Sequence, residues 1–526
     1  MASPATYENI QHIPLTVPIN SRDGTLTTDA YSKNVFFGKD GDGEVIVVKR
    51  PGLKKIADVS ALGLSSTFVQ GAGFYGVANG LVAVIGNRYV YPAASPFSPY
   101  ALAFPVNANC RMRVGFNNSD NAGYGVFAAQ CYSPTLNFIQ SGSNSVNTQG
   151  NQTVTTATLV PSLCELNSRW YVMTTAGLIN SSATGNTSNW PALMNLQVEC
   201  SIGTPSCMVK HLSYLVAFGT KGSVAYYDAG NSPGIAIQRV DNSISKIGLP
   251  ITCRFAPVSV NDTLYFLGDG GTAGAELFAM RGLTAQSVTP PGVARLLTRY
   301  LNACEESSAY GLVGWAGNND RMMPTLQPVM ASGHKFLLLT FPSFAVVSPA
   351  ASFSGITLAY CIDTGTWHWW TQVIGGVEGY VQLAPYTQTE TIKFQNAAGS
   401  PNLPGPLVLG ESDGNLYSWD IGTYQDNGQG IPVVIQTDSF SWGNQRVKLI
   451  PATYPSLDNV ASTVYVSWSD DDYTTFTTPV AVSTANPKKQ IIRCGSTIRR
   501  AWMLTHNDNT PMRFYDIEVE VVPGAL

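Results

Sequence analysis

One strand–turn–strand pattern recurs through this chain and limits what it can fold into. Its clearest copy spans 258–280, VSVNDTLYFLGDGGTAGAELFAM. The β-prone run Thr263, Leu264, Tyr265, Phe266, Leu267 stops at Gly268-Asp269-Gly270-Gly271, and Glu276-Leu277-Phe278-Ala279-Met280 returns. Glycine supplies the positive backbone angles of a tight hairpin, and the flanks are apolar and aromatic. The plan repeats at 74–91, 212–228, 334–370 and 407–420, at spacings of roughly 45–75 residues. Two copies close on an aromatic followed by an acid, Tyr227-Asp228 and Trp419-Asp420. A lone hairpin cannot bury its face, whereas several wheeled about an axis bury both faces of each sheet and leave only short edges. The expected fold is therefore all-β: a β-propeller of six blades with an N-terminal extended arm and a C-terminal β-sandwich-like module.

The 526 residues exceed what one small core organises, and charged residues make up only 12%. Plentiful Gly, Pro, Thr, Ser, Asn, Val and Tyr fit strands joined by polar, uncharged loops. A low charge density also leaves neutral surface for permanent subunit contacts. The net charge of −4 argues against a broad basic face that grips nucleic acid, though not against a wall past which DNA slides. The cysteines at 110, 131, 164, 200, 207, 253, 304, 361 and 494 are odd in number and form no Cys-x-x-Cys. Buried reduced thiols of a cytosolic assembly site are expected rather than disulfides or zinc spacing. No signal peptide and no apolar run of membrane-spanning length is visible, so no membrane-spanning segment is expected.

Three regions are expected: 1–65, an arm and leading hairpin; 66–430, the propeller, with a polar insertion near 100–165; and 431–526, the C-terminal β module. In the arm, Pro4, Pro14 and Pro18 disfavour helix, and Ile13, Leu15, Val17 and Ile19 alternate as in a half-buried strand. A hairpin follows, with Asn34–Phe37 and Glu44–Val48 on either side of a Gly/Asp turn. It runs into Lys49-Arg50-Pro51-Gly52-Leu53, where Pro-Gly marks a turn with Gly placed for a positive φ. The run 141–157, SGSNSVNTQGNQTVTTA, reads as a flexible loop or a strand edge, and strand-like pieces beside it leave room for one or two further blades. One helix is expected at 291–304, with proline at its start and Val293, Leu296, Leu297, Tyr300, Leu301 and Cys304 at helical spacing. From about 431, short alternating strands predict a sandwich or a closing strand layer.

The order Ser21-Arg22-Asp23, Asn34, then Lys49-Arg50-Pro51-Gly52-Leu53 resembles the start of the tail hub and nozzle proteins of short-tailed bacteriophages, a group that includes the packaged-DNA stabilisation proteins. In that family an Arg-Pro-Gly strand precedes a propeller whose first hairpin looks like Gly73–Tyr91 here, with Asn79-Gly80 and Asn87-Arg88-Tyr89-Val90-Tyr91. Ser287-Val288-Thr289-Pro290 resembles its inter-blade segment, and Arg499–Thr505 with Pro511–Glu518 its C-terminal module. The stretch near 100–165 has no counterpart there. The resemblance implies a structural virion protein, a homohexameric tail nozzle or hub ring below an adaptor ring. Such a ring extends the DNA channel, helps retain packaged DNA, passes double-stranded DNA without sequence specificity during ejection, and anchors fibres or spikes. It implies a place in the virion tail after assembly in the host cytoplasm. The polar tips Ser141–Asn151 and Gly268–Gly274 are candidate constricting loops.

Motifs for chemistry are weak, and no catalytic, cofactor or metal residue is assigned. Ser469-Asp470-Asp471-Asp472-Tyr473-Thr474-Thr475-Phe476 resembles an Asp-box, in which acid and hydroxyl tie down a turn. A solvated turn is preferred over calcium binding by its carboxylates. Trp367-His368-Trp369-Trp370 would be the sugar platform of the alternative, a propeller-type receptor- or glycan-binding tail protein, although packing between blades is its favoured role. His12, His211, His334, His368 and His506 fall in no ligand pattern. A glycosidase would need paired acids or an arginine cluster at the propeller axis, and no such set stands out; Glu305-Glu306 and Asp413 are isolated. The basic residues Lys49-Arg50, Lys54-Lys55, Lys488-Lys489, Arg493 and Arg499-Arg500 read as surface contacts with neighbouring subunits, ahead of DNA contact.

Overall fold

Hairpin after hairpin, the chain builds sheets that face one another around an axis. The computed structural model describes residues 10–523 apart from short stretches, the longest being 76–79, 91–99, 102–109, 118–123, 270–273, 310–319, 347–350 and 393–405. Five four-stranded sheets follow in chain order, at 69–101, 112–153, 164–197, 205–239 and 258–287. A sixth blade takes Thr325–Ala331, His334–Phe341, Ile356–Cys361 and Thr366–Trp370. In the seventh, Leu407–Leu409 and Leu416–Trp419 are joined by Leu53–Ala57 from the other end of the chain. This borrowed strand closes the wheel.

The repeat that opened the sequence reading is blade 5. Leu264, Tyr265, Phe266 and Leu267 are all buried, because both faces of the sheet meet neighbouring blades. Asn261 and Gly282, at φ 50° and 59°, take the left-handed positions of its flanking turns. The all-β propeller holds, and its blades number seven rather than six among the described residues. The difference lies in 112–153, expected as a polar insertion. The uncharged run there is the strand Ser145–Thr153, which pairs with Thr135–Gly142 and ends the order of its sheet. An outermost strand needs few apolar residues, so hydropathy gave it no strand signal.

Both ends of the chain share the remaining sheets. Arg513–Glu520 pairs with Ile10–Pro14 and Val45–Lys49 on one side and with Ala452–Leu457 on the other. A facing sheet carries Tyr31–Lys33, Val433–Gln436, Ala501–His506, Thr463–Ser469 and Val480–Ser483, and joins blade 6 where Lys33 meets Trp369. Ile13, Leu15, Val17, Phe37, Ile435, Trp502, Phe514 and Ile517 fill the space between the two. The half-buried alternation of the arm is thus one face of a sandwich. Among the described residues the one α-helix is Pro291–Ala309. Val293, Leu296, Leu297 and Cys304 are buried against the propeller, while Arg295 and Arg299 bond the backbone of Ser21 and Gly24 in the arm.

Candidate functional site

Two buried arginine centres dominate the interior, and the first explains the Arg-Pro-Gly motif. Asn34, at φ 59°, is held in the left-handed region that asparagine tolerates. Its Oδ1 accepts from Arg50 Nε at 2.9 Å and from the Thr371 amide at 2.7 Å. Its Nδ2 donates to Thr371 Oγ1 and to the Pro432 carbonyl. Arg50 also donates to both oxygens of Asp426, at 3.1 and 2.6 Å, and to the Pro51 and Thr371 carbonyls. Arm, blade 6, blade 7 and C-terminal module therefore meet on two bonded side chains, Asn34 and Arg50. Gly52 does not take a positive φ, contrary to the turn reading. A Cβ there would lie 2.0 Å from the Gln425 carbonyl oxygen, so close backbone approach excludes a side chain. Lys49 and Arg50 are fully buried, as are Arg500 at 1% and Lys489 at 7% exposure, which removes them from the expected surface contacts. Arg493 and Arg499 do lie at the surface.

The second centre is the propeller axis, which a segment of chain crosses. The segment after Leu383 leaves blade 7 and crosses to blades 1, 2 and 5. The Thr387 amide donates to the Ala72 carbonyl, and the Val114 amide to the Thr387 carbonyl. Gln388 Oε1 accepts from the Phe74 amide, and Ile392 bridges Val260. The described strap is buried from Leu383 to Gln388. Beside it, arginines lie at or shortly before the first strands of three blades. Arg111 and Arg113 share one face at the start of blade 2, Arg254 precedes blade 5, and Asp320-Arg321 precedes blade 6. Asp320 accepts from the Arg111 amide at 3.0 Å and from Arg254 Nη2 at 2.8 Å. Arg111 pairs with Glu411, and Arg113 donates to the Pro257 carbonyl. Arg321 lies 4.2 Å from the Phe68 ring centroid, and burial pushes its pKa down. Tyr380 beside them is pushed up to about 12, by burial first and the Glu411 charge second.

An arginine cluster thus exists at the axis, although the sequence shows no such set. Its members are scattered over some two hundred residues of chain, and the one shared signal is position, at or just before innermost strands. The chemistry open to it is binding. Asp320 and Glu411 are committed to guanidinium groups. A cavity of about 280 Å³ next to Glu411 is also lined by Asp413 and Asp426. Asp413 is bonded to Asn415 and Tyr417, and Asp426 to Arg50. No two of these acids stand free as a general acid and base. Cys207, near Arg113, is pushed up to about 12 by burial and stays a thiol. No disulfide joins any two of the eight described cysteines; Cys131 lies outside the described residues.

The other sequence candidates resolve by their bonds. Asp471 accepts from Ser469, from the Thr475 hydroxyl and from its amide, which hold its carboxyl at about 2. Asp470 is gripped by Arg500 at 2.7 and 2.8 Å, and Asp472 pairs with Arg499. The Asp-box-like segment is a tied turn whose three carboxylates already have partners. Trp367 and Trp370 are buried at 3% and 0%, donating to Val288 and Val35, and Trp370 stacks on Trp419 at 5.8 Å. They pack between blades and offer no sugar platform. His368 is fully buried and His12 bonds Asp516. Of the candidate constricting tips, residues 143–144 and 270–273 lie outside the described residues. No described helix is long and apolar enough to cross a membrane.

No family model and no curated protein matches this sequence. Among solved structures, one described as YCF48 bound to D1 peptide is similar over 71% of this chain and 98% of that one, at 14% identity and a TM-score of 0.37. A chain of a mitotic checkpoint complex covers 71% of this chain and 95% of its own length, at 10% identity and a TM-score of 0.37. Likenesses of this size add nothing to the fold read from the strand pairing, and nothing about activity.

Proposed function

We propose that this chain is a structural subunit of a short-tailed phage tail, a nozzle or hub ring through which double-stranded DNA passes. The observation that carries the reading is the Asn34–Arg50–Gly52 junction. The residues of the family resemblance are the ones that lock arm, propeller and C-terminal module into one stiff body, as a load-bearing ring element requires. The strap across the axis adds a constraint: in this reading DNA runs not through the propeller itself but through a channel enclosed between copies. A surface for such copies is available on the three-stranded sheet of Lys448–Leu449, Ser496–Thr497 and Val522–Pro523. Val447, Leu449, Ile498 and Val522 share one face of it and are 51%, 48%, 44% and 43% exposed. An apolar patch on a body with few charges is the expected footprint of a permanent contact, and a second copy of this chain is its partner. The glycan-binding alternative loses its platform with the burial of Trp367 and Trp370.

Electron microscopy of the purified chain tests this. Closed rings of one symmetry are expected, and Leu449→Asp paired with Val522→Asp is expected to return single subunits. Subunits that stay monomeric at every concentration, together with specific capture on a glycan array, would reject the ring.

A further inference from the structure

Among the described residues, the axial arginines bring more positive charge than the carboxylates beside them. Arg111, Arg113, Arg254 and Arg321 meet Asp320 and Glu411, so four guanidinium groups share two acids. Arg111, Arg113 and Arg254 are at most 3% exposed. Nη1 of Arg111 and Nε of Arg113 are buried and make no hydrogen bond. Other buried arginines of this chain are matched: Arg50 by Asp426 and Arg500 by Asp470, each through two donors. Buried charge without a counter-charge is costly, and a donor left unmade adds to that cost. The rings of Phe68 and Phe255 lie 4.2–5.9 Å from the guanidinium groups. Such ring contacts occupy the guanidinium faces, not the N–H edges.

We propose that this centre binds one compact oxyanion of the phosphate class, held by Arg111, Arg113 and Arg321. Guanidinium donors contributed by separate blades suit a tetrahedral anion better than a flat carboxylate, and the fork of arginine matches its oxygens. Arg321 is the partly exposed member, so exchange with solvent runs past it. A free ion and a phosphate of DNA share this chemistry. A duplex is too wide to enter a buried hub, so the free ion is the ligand.

Thermal unfolding of the full chain in phosphate, sulfate or chloride at matched ionic strength reads the site. A saturable rise of about 3 °C is expected with phosphate and sulfate over chloride. Arg113→Gln and Arg321→Gln should each lose it. A short DNA duplex at equal phosphate concentration should give none. An equal rise in chloride, a rise kept in both variants, or a rise with duplex alone would overturn the site. If a variant fails to fold, calorimetric titration of the unaltered chain with phosphate decides. Binding of a single anion that sulfate displaces supports the proposal, and no heat beyond that of chloride ends it. Loss of this site would leave the ring reading standing, since that rests on the junction and the apolar patch.

Discussion

Arg50 and the axial Arg111 and Arg113 are all buried and are treated oppositely by their surroundings. Arg50 meets two carboxylate oxygens, two carbonyls and an asparagine, and through Asn34, Thr371 and Asp426 it ties the arm to distant parts of the chain. Arg111 and Arg113 each keep a buried nitrogen without a partner. A charge whose every donor is used acts as a fastener, because removing it strands its partners. A charge left partly unused gives little to the fold and keeps its donors for something else.

The contrast can be broken most directly at the junction. Arg50→Ala leaves Asp426, at 1% exposure, without its counter-charge, and should cost about 3–5 kcal/mol in urea unfolding. An effect under about 1 kcal/mol would show that the junction is not a fastener.

Acid should weaken the same junction next. His506, 3.5 Å from Lys49 Nζ, is pushed down to about 4, by burial first and the Lys49 charge second. Its folded value lies below its unfolded one, so between pH 6.5 and 4 the unfolded chain binds the extra proton. Stability therefore falls as pH drops through that window, by up to about 3 kcal/mol. His506→Gln should flatten the slope; an unchanged slope would assign it to other groups. The smallest change is expected at the axis. Arg113→Met keeps volume and removes an unmatched charge, so its cost should stay within about 1 kcal/mol. A loss as large as that of Arg50→Ala would make the two centres alike.

Much of the propeller was legible because its signals are local. Gly268–Gly271, the apolar flanks of blade 5 and the helix from Pro291 each declare themselves within a dozen residues. The Asp-box-like turn was readable for the same reason, since Ser469, Asp471 and Thr475 bond one another. Residues 112–153 hid a blade because strand pairing, not apolar content, holds Ser145–Thr153. Arg50 looked like a surface charge, since nothing nearby in sequence announces Asp426. The axial cluster was least legible of all: Arg111, Arg254 and Arg321 become neighbours only once three blades are stacked.

The shared strand at the end of the chain sets an order of events. Ile10–Pro14 has no strand partner, and Val45–Lys49 has only Val35–Lys39, until Arg513–Glu520 has been synthesised, and Leu53–Ala57 waits for Leu416–Trp419. These early strands are thus among the last to find their places. Until residues 513–520 are made, the growing chain carries unsealed strand edges, and a copy truncated shortly before residue 513 would keep them open.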